Sequence, residues 1–232
     1  MRKVILLILS VFIVCFAIAV NGARAEENKW TRLVKESGRV LSEVQQMPDQ
    51  SIPKDLLRSC SAIAIFPSTL SGGFGIGGRY GQGIIMVRDE TGSDWSSPAI
   101  FTITGASFGW QIGGQATDFI LLIMGRRGID GLLQGKLKLG ADASIAAGPV
   151  GRTADASTDI QLKGGILSYS RSRGLFAGAK LEGDVITQHW DGDEALYGRR
   201  FSAREILLEN KTTMPKCAGS LLKVLNRYSP KR

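Results

Sequence analysis

One histidine, seven prolines and three cysteines among 232 residues leave little room for several common chemistries. A lone imidazole, His189, means that every acid–base scheme through histidine depends on one position. So little proline excludes a collagen-like or low-complexity chain, even though glycine reaches 29 of 232. Cysteines at 15, 60 and 217 have neither the number nor the spacing of a metal site, and no metal or cofactor is expected. No linker, charge-neutral spacer or long repeat divides the chain, which reads as a single domain.

What is present is a hydrophobic content of 44%, enough for a packed core and too much for a disordered chain. The N-terminus has two positive charges, an uncharged apolar run over 4–20, then Ala23-Arg24-Ala25. This is the layout of an export signal, residues 1–25, leaving a mature chain of 26–232 in the periplasm or secreted. Left uncleaved, the same run would serve as an anchor. Cys60 and Cys217 would then meet oxidising conditions, where they either join or remain buried thiols, and spacing does not decide between the two. Cleavage leaves a charge of +5, and its distribution is uneven: residues 199–232 carry nine basic side chains against Glu205 and Glu209, whereas 26–198 are net −2.

Apolar residues at 30, 33, 34, 40, 41, 44 and 47 predict an amphipathic helix ending at Pro48, followed by a short helix from Pro53. From Ser61 the texture changes to apolar or alternating runs broken by glycine: "AIAIF", "FGIGGRY", "GIIMVRD", "AIFTITGASFGWQIG" and "TDFILLIM" predict antiparallel strands. A helical turn near "RRGIDGLLQG", more strands, and the helices "SAREILLEN" and "MPKCAGSLLKVLNRY" complete the chain. The fold class is therefore α+β, a predominantly antiparallel sheet or barrel-like core flanked by N- and C-terminal amphipathic helices. In the last helix Ala218, Leu221, Leu222 and Leu225 form a face expected to pack on the domain. Lys216, Lys223 and Arg227 form the opposite face.

Residues 71–83, "SGGFGIGGRYGQG", match G-x-G-x-x-G at Gly73, Gly75 and Gly78, but strand-like "RYGQGIIMVRD" follows where a nucleotide cradle needs a helix. No V-A-I-K, H-R-D or D-F-G partner supports a kinase loop either, so nucleotide is not expected and these glycines serve strand bending and close packing. "GASFG" at 105–109 has the spacing of a nucleophile elbow, with Asp118 or Asp184 and His189 downstream, yet "WQIGGQ" is a poor helix start. The chain is read as non-enzymatic, with His189 and "WDGDEALYG" as an exposed loop. Arg79 lies among the glycines, Arg171 and Arg173 alternate in "SYSRSRG", and Lys180 follows in "FAGAKLEG". In a strand 171 and 173 share a side, so that their guanidiniums either converge on an anion or form a solvated face.

Taken in order, "IPKDLLRSCSAIAIFPS", "GGFGIGGRYGQGIIMVRD", "WSSPAIFTITGASFGWQIGGQATDFILLIM", "LGADASIAAGPVGR" and "ILSYSRSRGLFAGAKLEGDVI" resemble the SYLF domain family, over about residues 29–228. The resemblance implies a lipid-binding module, since eukaryotic relatives are associated with phosphoinositide membranes and some with actin filaments. It also marks Arg79, Arg171, Arg173 and Lys180 as anion contacts. The export signal departs from those relatives and removes cytoplasmic partners. The expected partner is an anionic phospholipid at an envelope membrane surface, with Lys216, Lys223 and Arg227 adding to the attraction. The alternative is an acidic protein partner, and nucleic acid is not expected. N-terminal sequencing of the membrane-free protein should begin at Glu26; a product that still starts at Met1 and stays in the membrane would make the apolar run an anchor.

Overall fold

The computed structural model describes residues 28–47, 50–89, 94–151, 165–172 and 174–229. The export-signal region therefore lies outside the described residues. The chain opens with α1 (Lys29–Gln45) and α2 (Lys54–Ser59), followed by two very long strands, β1 (Ala62–Val87) and β2 (Ala99–Ile123). After α3 (Arg126–Leu133) come β3 (Lys136–Lys138), β4 (Ile145–Ala147), β5 (Ile166–Ser172), β6 (Leu175–Gly178) and β7 (Val185–Gln188). The C-terminal part is α4 (Trp190–Tyr197), α5 (Ala203–Leu207), a 3-10 turn over Lys216–Ala218 and α6 (Gly219–Tyr228). Helices at both ends around a mostly antiparallel sheet are the expected α+β class.

The five glycine-broken runs expected as separate strands are two continuous ones. β1 and β2 pair antiparallel from Ala62↔Ile123 to Ile85↔Ala99, with register shifts only between Phe66 and Thr69 and between Gly73 and Gly75. Glycine does not interrupt the strands because each keeps its partner across the bend. A straight strand of 26 residues would run about 85 Å, yet both ends of β1 lie in the same core. Ala62, Ala64 and Phe66 share one apolar cluster with Ile85 and Val87. The two-stranded ribbon is thus folded over itself, with legs at 62–70 and 79–87 of β1 and a glycine-rich arch between them. A Cβ at Gly83 would sit 2.2 Å from the Ile65 carbonyl oxygen, and one at Gly81 would sit 2.2 Å from Thr69 Oγ1. Only glycine lets the legs come this close.

β2 is the central strand: it pairs with β5 along its second half, with β7 along its first and with β1 throughout. Added to these, β3 pairs with β7, β6 with β5, and β4 lies parallel to β5, giving a curled sheet of seven strands among the described residues. Alternate residues feed two cores. Phe66, Phe101, Ile103, Phe119 and Leu121 join α3 and α5 on one side. Ile63, Ile65, Ile84, Met86 and Ile120 join α1, α2 and α6 on the other. Burial on both faces explains why "AIAIF" and "GIIMV" read as unbroken apolar runs rather than alternating ones.

α1 begins at Asn28, whose Oδ1 accepts from Trp30 N at 3.0 Å, and crosses α6 at Gly38, where a Cβ would lie 3.0 Å from Leu221 N. "WDGDEALYG", expected as a loop, is helix α4. The His189 ring nitrogen Nδ1 accepts from Gly192 N at 3.0 Å, and Gly198 ends the helix in the left-handed region at φ 81°. The two prolines expected to open helices agree with the structure, since Pro53 caps α2 and Pro215 precedes the 3-10 turn before α6.

Replacing Gly83 by alanine should cost about 3 kcal/mol, because the methyl meets backbone that cannot give way. Gly78→Ala, with open space around it, should stay within about 0.5 kcal/mol of wild type. Urea denaturation of the two variants checks this; equal midpoints would mean the legs are not in contact.

Candidate functional site

The groups that a hydrolase would need are each engaged elsewhere. Ser107 lies inside β2, its backbone paired with Gly77, and not at a strand-to-helix corner. His189 caps α4 and packs its ring 4.6 Å from that of Trp30. Asp118 and Asp184, the two acids in the right chain order, both face arginines.

Arg79 and Asp184 form a buried pair at 2.5 Å, with 2% of the aspartate side chain exposed. Arg79 is the register partner of Gly105, and a Cβ on Gly105 would lie 1.8 Å from Asp184 Oδ1. The missing side chain at 105 is therefore the space through which the carboxylate reaches the arginine. Phe119 lies beneath, its ring centre 5.1 Å from the guanidinium carbon. Burial raises the Asp184 pKa, and the hydrogen bond and charge of Arg79 oppose the shift.

Arg171 is the register partner of Asp118 on β2 and bonds it through Nε at 2.9 Å and Nη2 at 2.7 Å, while its Nη1 reaches Glu43 of α1. Glu43 in turn holds Arg39, whose other partner is Glu36. These cations keep both carboxyls below their usual range: for Glu43 the largest cause is the Arg171 hydrogen bond, for Glu36 that of Arg39. Asp118 also accepts from Ser68 N at 2.8 Å, at the bulge where Ser68 takes φ 48°. A cleft of about 250 Å³ lies here, lined by Arg39, Met47, Ser68, Asp118, Arg171 and Gly174 among others.

Arg79 and Arg171, expected to contact an external anion, are placed by the structure in internal ion pairs with Asp184, Asp118 and Glu43. Spacing alone placed 171 on a strand face but gave no sign of Glu43, which arrives from a helix 128 residues away. Arg173 lies outside the described residues. Lys180, just beyond β6, is exposed.

The cations of the 3-10 turn and α6, together called the α6 cations, fare differently. Lys216, Lys223 and Arg227 are all exposed, and none makes an ion pair with a described residue. On the opposite face Ala218, Leu221 and Leu225 are buried and Leu222 half-buried, so the helix docks on the domain through its apolar side as expected. Sequence reasoning missed Arg88. It is buried at the end of β1, 4.5 Å over the Trp95 ring, and donates to the Ser229 carbonyl at 3.2 Å, fixing the end of α6.

A family model described as Ysc84, Las17-binding protein actin regulator, matches residues 104–228, from the first part of β2 to the end of α6. The chain belongs to the Ysc84/SYLF family. An SH3 domain-containing protein of Schizosaccharomyces pombe is 34% identical over 83% of this chain and 46% of its own length. Protein YSC84 of Saccharomyces cerevisiae is 32% identical over 76% of the chain and 38% of its own. SH3 domain-containing YSC84-like protein 1 of Homo sapiens is 28% identical over 91% of the chain and 60% of its own. The chain thus spans between about two fifths and three fifths of these relatives. The family description carries Las17 binding and actin regulation, and two of these relatives are named for an SH3 domain.

Cys60 and Cys217 are not bonded to each other in the structure, the first buried and the second half-buried. Cys60 Sγ points back to the Leu57 carbonyl at 3.2 Å inside the helical core. Among the described residues no three His, Cys, Asp or Glu side chains gather as a metal site. The Asp193 pKa, pushed up to about 7 by burial, has the size associated with acid–base catalysts. Its geometry is structural: Oδ1 accepts from Ile100 N and Oδ2 from Gln188 Nε2, both at 2.7 Å, and the residue is fully buried. Those two bonds oppose the shift. An unfolded aspartate ionises near 3.8, so between about pH 4 and pH 7 the folded chain holds a proton that the unfolded chain has released. Stability should therefore fall across that interval, by up to about 1.4 kcal/mol per pH unit, and level off above it. Urea denaturation against pH checks the slope, which Asp193→Asn should remove; an unchanged slope in the variant would assign it to another group.

Proposed function

We propose that this Ysc84/SYLF-family chain is a non-enzymatic module that binds the surface of an anionic phospholipid membrane, peripherally and after export. The observation that carries the reading is the contrast among its cations. Arg39, Arg79, Arg171, Arg200 and Lys211 are held by carboxylates. Lys216, Lys223 and Arg227 are exposed without such partners among the described residues. Each cation near an anionic leaflet contributes about 1 kcal/mol, so the three supply roughly 3 kcal/mol before screening, a factor near a hundred in affinity. The buried leucine face of α6 limits this contribution to electrostatic contact without insertion of the helix.

The Las17-binding names of the relatives favour one other reading, in which the same basic face meets an acidic protein. Sedimentation with vesicles of phosphatidylcholine and rising phosphatidylglycerol separates the two. Binding should increase with the anionic fraction and weaken as salt shortens the Debye length. Reversal of Lys216, Lys223 and Arg227 to glutamate should lower affinity about a hundredfold with the fold intact. No binding at any composition would reject the lipid reading and leave the protein partner.

A further inference from the structure

Single exposed hydrophobic residues are ordinary, but a group of them at one end of a fold calls for an explanation. The most exposed large apolar side chains among the described residues are Leu175 at 72%, Leu70 at 59% and Tyr80 at 52%. All three stand at the arch end of the sheet. Leu70 is paired with Ala116 and Tyr80 with Thr104. Leu175 is paired with Ser172, whose Oγ accepts from Gln115 Nε2, next in sequence to Ala116.

The arch between them has no charge. No residue of 71–78 or 105–117 is acidic or basic. The charges that border those stretches, Arg79 and Asp118, are neutralised inwards by Asp184 and Arg171. β1 exposes positions 70, 72, 78 and 80. The backbone remains paired through the bend, Gly72↔Gly114, Gly73↔Gly113 and Gly75↔Gly109, so the inward half of its polar groups face a partner and the outward half need the hydrated headgroup level rather than the hydrocarbon.

We infer that the arch of the β1–β2 ribbon enters the apolar margin of a lipid bilayer and supplies the salt-resistant part of membrane binding. The inference rests on the lipid reading proposed above and adds a second contact to it. An uncharged end with its bordering ion pairs closed has nothing to offer an acidic protein, whereas tyrosine beside leucine suits the level of the headgroups. The α6 cations act over about 8–10 Å in salt and attract the whole molecule without touching the same lipids.

The test uses phosphatidylglycerol–phosphatidylcholine vesicles and three proteins: wild type, the double variant Leu70→Ser with Leu175→Ser, and the triple α6 reversal. Serine leaves the charge unchanged, and both leucines are exposed, so the double variant should melt with the wild type. Its vesicle affinity should fall at least about tenfold and the residual binding should vanish in high salt. The α6 reversal should instead retain a weak, salt-insensitive component. If wild type binds and the double variant binds equally well, the arch is not the contact and the lipid reading stands without it. If wild type fails to bind, both fall. A wild-type dimer that the double variant dissolves would give the arch to a second copy of the chain.

Discussion

The contact between Gly83 and the carbonyl of Ile65 is the constraint on which the rest of the fold depends. A ribbon of two strands this long would otherwise be a thin, exposed ladder with little to bury. Folded at its glycine-rich middle, it brings four strand segments together, and β2 then has free flanks for β5 in one leg and β7 in the other. The doubled sheet has apolar side chains on both faces, which is why helices cover one side and a curled sheet with α3 and α5 fills the other.

The same geometry decides which charges are available to a partner. Near the base of the arch the legs leave two arginines with little access to water. A buried cation without a counter-charge is costly, and removing one partner of such a pair typically costs 3–5 kcal/mol. Asp184 over Gly105 and Asp118 beside Arg171 meet that demand, and Glu43 ties the second pair to α1. Arginines so engaged hold layers together and have little left for a ligand. Asp193 belongs with them: it joins the start of β2 to β7 and α4, and its raised pKa reflects burial rather than chemistry.

Much of the architecture was legible because period and punctuation coincide. The stripe from Trp30 to Met47 gave α1 to within two residues, Pro215 and the leucine face gave the last helix, and the strand expected after Gly78 is there. The missed helix α4 has glycine and two aspartates in its first turn, poor helix formers inside a helix but good ones at its start, where His189 and the helix dipole accommodate them. The merging of five runs into two strands was not legible, because glycine signals a break and a bend alike. The candidate site was half legible. Exposed cations on α6 follow from helical spacing, whereas the fate of Arg79 and Arg171 depends on Asp184 and Glu43, contacts made at long sequence separation.

Hydrogen–deuterium exchange with and without phosphatidylglycerol vesicles tests the account most directly, because it reports every segment at once. Slowed exchange should appear over 70–80 and 104–116 and more weakly over 216–227, with no change at β5 or the start of α1. Protection confined to the cleft around Arg171, with the arch and α6 unchanged, would contradict the account and return the buried arginines to a binding role.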